Sequence, residues 1–191
     1  NLVHAYIALE DKTFYKHHGF NWTRMVGAVL NAFTGKDGIS GTSTITQQLA
    51  RNVYLPEIKS QRSIRRKILE MYYADQIEKT LTKEQIMEAY VNTIYLGFGN
   101  YGVERAAKSY FSKDVKDLNL VECASIASLA QAPDAYALVK VADSNNISDN
   151  TSNIIARDTE TYIANDVSKN RRNTCLKLMK SQGYITEKQY K

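Results

Sequence analysis

A chain of 191 residues, 43% hydrophobic and 24% charged, is long enough to bury a core, and with two prolines and nine glycines it is neither collagen-like nor a disordered linker. Its two cysteines, Cys123 and Cys175, are too few for a disulfide scaffold, and each is expected as a small buried apolar side chain. The net charge of +5 is matched by one segment, Lys59 to Lys67, whose five cations and lack of acids fit either an anionic partner (nucleic acid, lipid headgroup or pyrophosphate) or a solvated helix face.

The chain begins inside a helical pattern at Asn1 and reads as one domain, residues 1–191, excised from a longer protein. No apolar run approaches the roughly 20 residues of a membrane-spanning helix. Val3, Ile7, Glu10 and Phe14 recur at helical spacing and predict a helix from Leu2 to about Tyr15, placing Glu10 among apolar side chains on one face. Phe20 to Phe33 carries an apolar stripe, Trp22, Met25, Val26, Val29, Leu30 and Phe33. It fits a core helix or one lying in a membrane interface with Trp22 as anchor, and composition does not separate the two.

Gly35, Gly38 and Gly41 mark a loop over residues 34–44, and a helix is expected from about Thr44 to Val53, before Pro56. A long helix follows near Ser63 to Leu81. Thr82-Lys-Glu-Gln85 is a capping-box signal opening a helix to about Tyr95, and Leu96 to Gly102 is a glycine-rich turn. Two more helices are expected near Gly102–Phe111 and Leu120–Ala130. Residues 140–170 read as a polar, weakly periodic excursion, followed by a helix from about Asn170 to Gln182 and a second capping box, Thr186 to Gln189. Apart from short pieces near Ile39 and Tyr136, almost nothing alternates as a strand. The fold class is mainly α.

Metal-ligand spacing, a nucleophile elbow and a P-loop are all missing from the sequence, and the adjacent His17 and His18 point about 100° apart on a helix. Carboxylate chemistry remains. Two separated glutamates in unlike surroundings are a recurring arrangement for acid–base work on sugars, although a pair of helical glutamates taken alone is more often structural. Glu10, among apolar neighbours, is the candidate for a raised pKa. Glu70 has Arg66 and Lys67 one turn earlier, cations that favour its ionised form. The hydroxyl-rich entry Gly41-Thr-Ser-Thr-Ile-Thr-Gln-Gln48 offers backbone N–H groups and short donors to a sugar-phosphate ligand.

Four motifs carry a resemblance. Glu10, Asp11, Phe14, His17 and Gly19 form Glu-Asp-x-x-Phe-x-x-His-x-Gly. Gly41 to Asn52 follows Gly-x-Ser-Thr-Ile-Thr-Gln-Gln-Leu-x-Lys-Asn, with Arg51 in place of lysine. Arg66, Lys67 and Glu70 form Arg-Lys-x-x-Glu, and Lys83, Ile86, Glu88, Tyr90 and Asn92 form the fourth. With these the chain resembles the peptidoglycan glycosyltransferases (glycosyltransferase family 51), the polymerase domains of class A penicillin-binding proteins and their monofunctional relatives. It departs at Gly27, where many relatives carry an arginine in the acceptor region, and its 140–170 segment is longer than usual.

The resemblance implies a lysozyme-like, bilobed helical fold with a small membrane-facing jaw lobe over roughly residues 20–60. It implies polymerisation of lipid II into β-1,4 glycan, the donor being the growing strand on an undecaprenyl pyrophosphate. Glu10 would be general base on the acceptor's 4-hydroxyl, and Arg51, Arg66 and Lys67, with Arg62 behind them, would stabilise the departing pyrophosphate. Ser43 and Gln47 would bond phosphate or sugar oxygens, with Asp11 and His17 also among the substrate-binding candidates. Glu70 would orient the cations or hold a divalent ion, Mg or Mn; no organic cofactor is implied. Glu88 and Asn92 read as scaffold. Lipid II, the nascent strand and the membrane surface are the implied partners, with a linked transpeptidase domain in the full-length protein. The implied location is the outer face of the bacterial cytoplasmic membrane, anchored by a segment outside this chain. The rival readings are a muramidase or lytic transglycosylase, which need not stabilise a pyrophosphate, and a non-catalytic basic module. The basic block has no aromatic residue interleaved with its cations, which counts against nucleic acid.

Overall fold

The computed structural model describes residues 1–22, 43–61, 63–142, 154–157 and 161–191. Eight α-helices lie among them: α1 (Leu2–Glu10), α2 (Ile45–Tyr54), α3 (Ile64–Thr80), α4 (Lys83–Thr93), α5 (Val103–Phe111), α6 (Leu120–Ser128), α7 (Asp166–Ser181) and α8 (Glu187–Tyr190). The fold is mainly helical, as expected. The chain divides into two compact units, one comprising Tyr6–Ile94 and the other Asn1–Ala5 with Tyr95–Lys191.

In the Tyr6–Ile94 unit, α2 packs against both α3 and α4. Its core is built from Tyr6, Ile7, Phe14, Ile45, Leu49, Ala50, Ala74, Ile77, Ile86 and Tyr90. The starts of α2, α3 and α4 are chemically specified. Thr44 and Thr82 form capping boxes with Gln47 and Gln85, and Ser63 accepts from the Arg66 N–H. Gly19 sits at φ +83° against the α3 backbone, where a Cβ would lie 2.9 Å from the Ala74 carbonyl carbon, so only glycine fits.

The first helix is shorter than its spacing predicts. It ends at Glu10, and Phe14 sits instead on a 3-10 turn, Phe14–Lys16. The cause is Asp11, a fully buried carboxylate that accepts from Thr13 Oγ1 and the Ile45 N–H and pairs with His17. A side chain drawn inward to three donors turns the chain out of the helix. Val3 is exposed and Phe14 lies off the helix, so the apolar face expected around Glu10 is not formed by α1 as its spacing predicts.

In the second unit α6 packs on α7. Leu96, Val103, Ala106, Cys123, Ile126, Leu129, Cys175 and Met179 are buried there; both cysteines are buried, as expected, and free. The correction lies in the 140–170 segment. Strands β1 (Val139–Ala142), β2 (Ile154–Arg157) and β3 (Thr161–Ala164) form an antiparallel sheet in the order β1-β3-β2. Helix α7 begins at Asp166, four residues ahead of the predicted start; Asn165 caps it, and its amide also donates to the Ala135 and Ala137 carbonyls. Strands of four residues are too short to display alternation, and the partners Val139 and Ala164 are distant in sequence. The short strand expected near Tyr136 is β1, which begins three residues later. Residues 23–42, which hold most of the expected jaw stripe, its loop and the strand expected at Ile39, lie outside the described residues, as does Arg62. Trp22 is described, and is 62% exposed.

Candidate active site

Both candidate glutamates belong to the Tyr6–Ile94 unit, and α2 reaches each of them. Gln48 and Arg51 stand three residues apart on α2, one helical turn, and so share a face. From that face Gln48 Nε2 donates to Glu10 Oε2 at 3.0 Å, while Arg51 Nη1 lies 3.8 Å from Glu70 Oε1. One helix thus ties the end of α1 to the middle of α3.

The Glu70 carboxylate is fully buried and surrounded by cations. Arg66 Nε is 3.0 Å from Oε1, and Lys67 Nζ is 3.1 Å from Oε2. Spacings of four and three residues on α3 direct both toward Glu70. Arg66 is further held by a bond from Nη1 to the Lys59 carbonyl at 2.7 Å, and Lys67 Nζ donates to Ser43 Oγ at 2.8 Å. Burial lowers the Lys67 pKa below that of a free lysine, and Arg51 and Arg66 lower it further, with Glu70 acting in the opposite sense. Three cations around one carboxylate leave positive charge in excess, in a partly desolvated setting where it is worth more than in water.

Glu10 has a different environment. It is half-buried, and its partner Gln48 accepts at Oε1 from the Tyr90 hydroxyl at 3.0 Å. Tyr90 is completely buried, its ring edge-on to Tyr6 at 5.5 Å. Burial first, then the Glu10 charge, raises the Tyr90 pKa well above its ordinary value, so the hydroxyl keeps its proton.

The remaining candidates are placed as follows. Ser43, Arg51, Arg66, Lys67 and Glu70 come together. Gln47 is buried and its Oε1 accepts from the Thr44 N–H, so its side chain serves the start of α2. Asp11 and His17 are buried against each other at 2.7 Å, below the α2 N-terminus. Behind them Glu78 accepts from Thr46 Oγ1 and Lys83 Nζ, both at 2.6 Å, and Lys83 also donates to the His17 carbonyl. This second cluster anchors α2 between α3 and α4. Glu88 and Asn92 are exposed on α4.

Sequence reasoning gave no role to Gln48, Tyr90 or Glu78. For Gln48 a signal existed: Thr44-Ile-Thr-Gln47 is itself a capping box, which commits Gln47 to the helix start and leaves its neighbour to face Glu10. No group of three or more His, Cys, Asp or Glu side chains able to hold a metal ion occurs among the described residues. Glu70 does not suit a divalent ion, because both its oxygens face cations that such an ion would have to displace.

The family model described as Transglycosylase matches residues 1–160. The whole chain is 41% identical to penicillin-binding protein 1A of Clostridium tetani (strain Massachusetts / E88), of which it covers 22%. It is 36% identical over its whole length to penicillin-binding protein 1A of Streptococcus oralis, covering 26% of that protein. Over 71% of the chain it is 48% identical to penicillin-binding protein 1A of Clostridium acetobutylicum, covering 18% of it. The chain therefore spans roughly a fifth to a quarter of these relatives.

Proposed function

The chain belongs to the transglycosylase family, and from that premise and the geometry around α2 we propose that it is a peptidoglycan glycosyltransferase that joins lipid II units into β-1,4 glycan. The observation that carries this reading is the pairing of two unlike carboxylates by one helix: Glu10 on Gln48, and Glu70 inside a cage of Arg51, Arg66 and Lys67. Environments this different assign different tasks.

Glu10 is the general base. It accepts the proton of the acceptor sugar's 4-hydroxyl as that oxygen bonds to the donor's anomeric carbon. The bond from that carbon to the pyrophosphate oxygen breaks on the opposite face, and the electron pair leaves with the lipid pyrophosphate. The configuration inverts. Negative charge grows on the leaving group, and Arg51, Arg66 and Lys67, held before the reaction begins, stabilise it. Glu70 touches no reacting atom in this scheme; it keeps three mutually repelling cations in one place. Ser43 accepts from Lys67 Nζ and so helps to hold it, and its hydroxyl is our candidate donor to a phosphate oxygen. A lysozyme-like hydrolase has no comparable use for such a cation cage.

Lipid-linked substrates require a membrane surface, and we take it to be the outer face of the cytoplasmic membrane. No helix of the described residues is long and apolar enough to cross it. The much greater length of the relatives, named for penicillin binding, supports a linked transpeptidase domain in the full-length protein. The test is incubation with purified lipid II followed by digestion with a muramidase. The reading predicts polymer that the muramidase reduces to disaccharide units. Hydrolysis of added glycan without polymer would replace it with the lytic alternative.

A further inference from the structure

Tyr90 lies behind the proposed base, without access to solvent and without contact with any reacting atom in the scheme above. Its hydroxyl is bonded to Gln48 Oε1 at 3.0 Å, and the other end of the same amide reaches Glu10 Oε2 at 3.0 Å. The two ends of a glutamine amide are not equivalent: Nε2 only donates and Oε1 only accepts. An ionised carboxylate only accepts. Turned through 180°, Gln48 would set oxygen against oxygen at Glu10, and its N–H would face a hydroxyl that has lost its acceptor.

We infer that Tyr90 is a positioning residue for Glu10, its buried hydroxyl locking the Gln48 amide in the one orientation that donates to the base. The inference rests on the assignment of Glu10 above and extends it one residue deeper. Three observations support it. Tyr90 is fully buried, so no water competes for Gln48 Oε1 from its side. Its ring is fixed edge-on against Tyr6, so the hydroxyl does not wander. It remains protonated, and therefore a donor, wherever the enzyme would work. The chain Tyr90–Gln48–Glu10 crosses three helices, α4, α2 and α1, and aligns the base with the helix that also carries Arg51.

The sign of the effect on Glu10 follows. A hydrogen bond donated to a carboxylate favours its charged form and lowers its pKa. Releasing the amide weakens that bond and raises the Glu10 titration midpoint. The other charged and titratable groups around the Tyr90 hydroxyl, Tyr6, Asp11 and Arg51, are unchanged by the substitution used.

Tyr90→Phe removes the hydroxyl and keeps the ring. We expect kcat for polymerisation to fall about tenfold with KM for lipid II within about twofold, the pattern of a lost transition-state contribution. We also expect the Glu10 midpoint, followed by carbon NMR of labelled glutamate, to rise. Gln48→Leu, which leaves the tyrosine in place, should move the midpoint in the same direction, and it serves if Tyr90→Phe does not fold. An unmoved midpoint in both variants overturns the inference, whatever happens to Tm, because the bond would then serve stability alone. A moved midpoint with wild-type kcat overturns it as well. Absence of polymer from the wild type would strike at the assignment of the base, a failure distinct from these, since the titration reads the Gln48–Glu10 contact without turnover.

Discussion

Glu70→Gln tests whether the buried carboxylate holds the cation cage together. The substitution keeps the shape and removes one negative charge from the centre of Arg51, Arg66 and Lys67. With the cations 3.0, 3.1 and 3.8 Å from the carboxylate, their heads lie within several ångströms of one another. At about 5 Å and an effective dielectric of about 20, each like-charge pair repels by about 3 kcal/mol. The cation side chains retain 16–27% of their exposure, so solvent screens part of this. Breaking a buried ion pair costs about 3–5 kcal/mol, and the lower end applies here. For a domain of this size about 3 kcal/mol lowers Tm by roughly 6–12 °C. Loss of Glu70 also removes the influence that raises the Lys67 pKa, so part of the strain is relieved by deprotonation. The assay is thermal unfolding with and without inorganic pyrophosphate. The variant should melt well below wild type and recover part of the loss when pyrophosphate replaces the missing charge. A Tm within about 2 °C of wild type would refute the reasoning, since it would mean the cations do not depend on Glu70.

Three further outcomes follow from the same geometry. Gln47→Ala removes half of a capping box and should cost about 1 kcal/mol in denaturant unfolding while leaving KM for lipid II unchanged; a raised KM would return Gln47 to the substrate. Because the Lys67 pKa is lowered, the residue loses its charge at a lower pH than a free lysine, so activity should fall early on the alkaline side. Lys67→Arg, which keeps its charge, should move that limb upward in a pH–rate profile. Gly19→Ala, at positive φ and 2.9 Å from the Ala74 backbone, should destabilise by more than about 1 kcal/mol in the same unfolding measurement.

The helices were legible because their signals are local. Thr82 and Gln85, Thr186 and Gln189, and the Ser63 start lie where the sequence puts them. The cation cage was legible for the same reason, since Arg66, Lys67 and Glu70 share one helix face by spacing alone. What the sequence hid depends on contacts between segments far apart. Asp11 ends α1 because it is drawn toward Ile45 and His17, and no helical periodicity records that competition. The sheet formed by Val139–Ala142, Ile154–Arg157 and Thr161–Ala164 depends on pairing across intervening chain. The division of labour between Gln47 and Gln48 was readable from Thr44, but the bond from Tyr90 to Gln48 arises only when α4 packs on α2.

The central claim is that Glu10 is the base of a polymerising glycosyltransferase. It is tested most directly by polymerisation of purified lipid II by wild type and Glu10→Gln, each first confirmed as folded by its melting curve. The account predicts polymer from the wild type and a loss of at least about a hundredfold in the variant, the scale of a missing general base. Undiminished polymer from Glu10→Gln would contradict it.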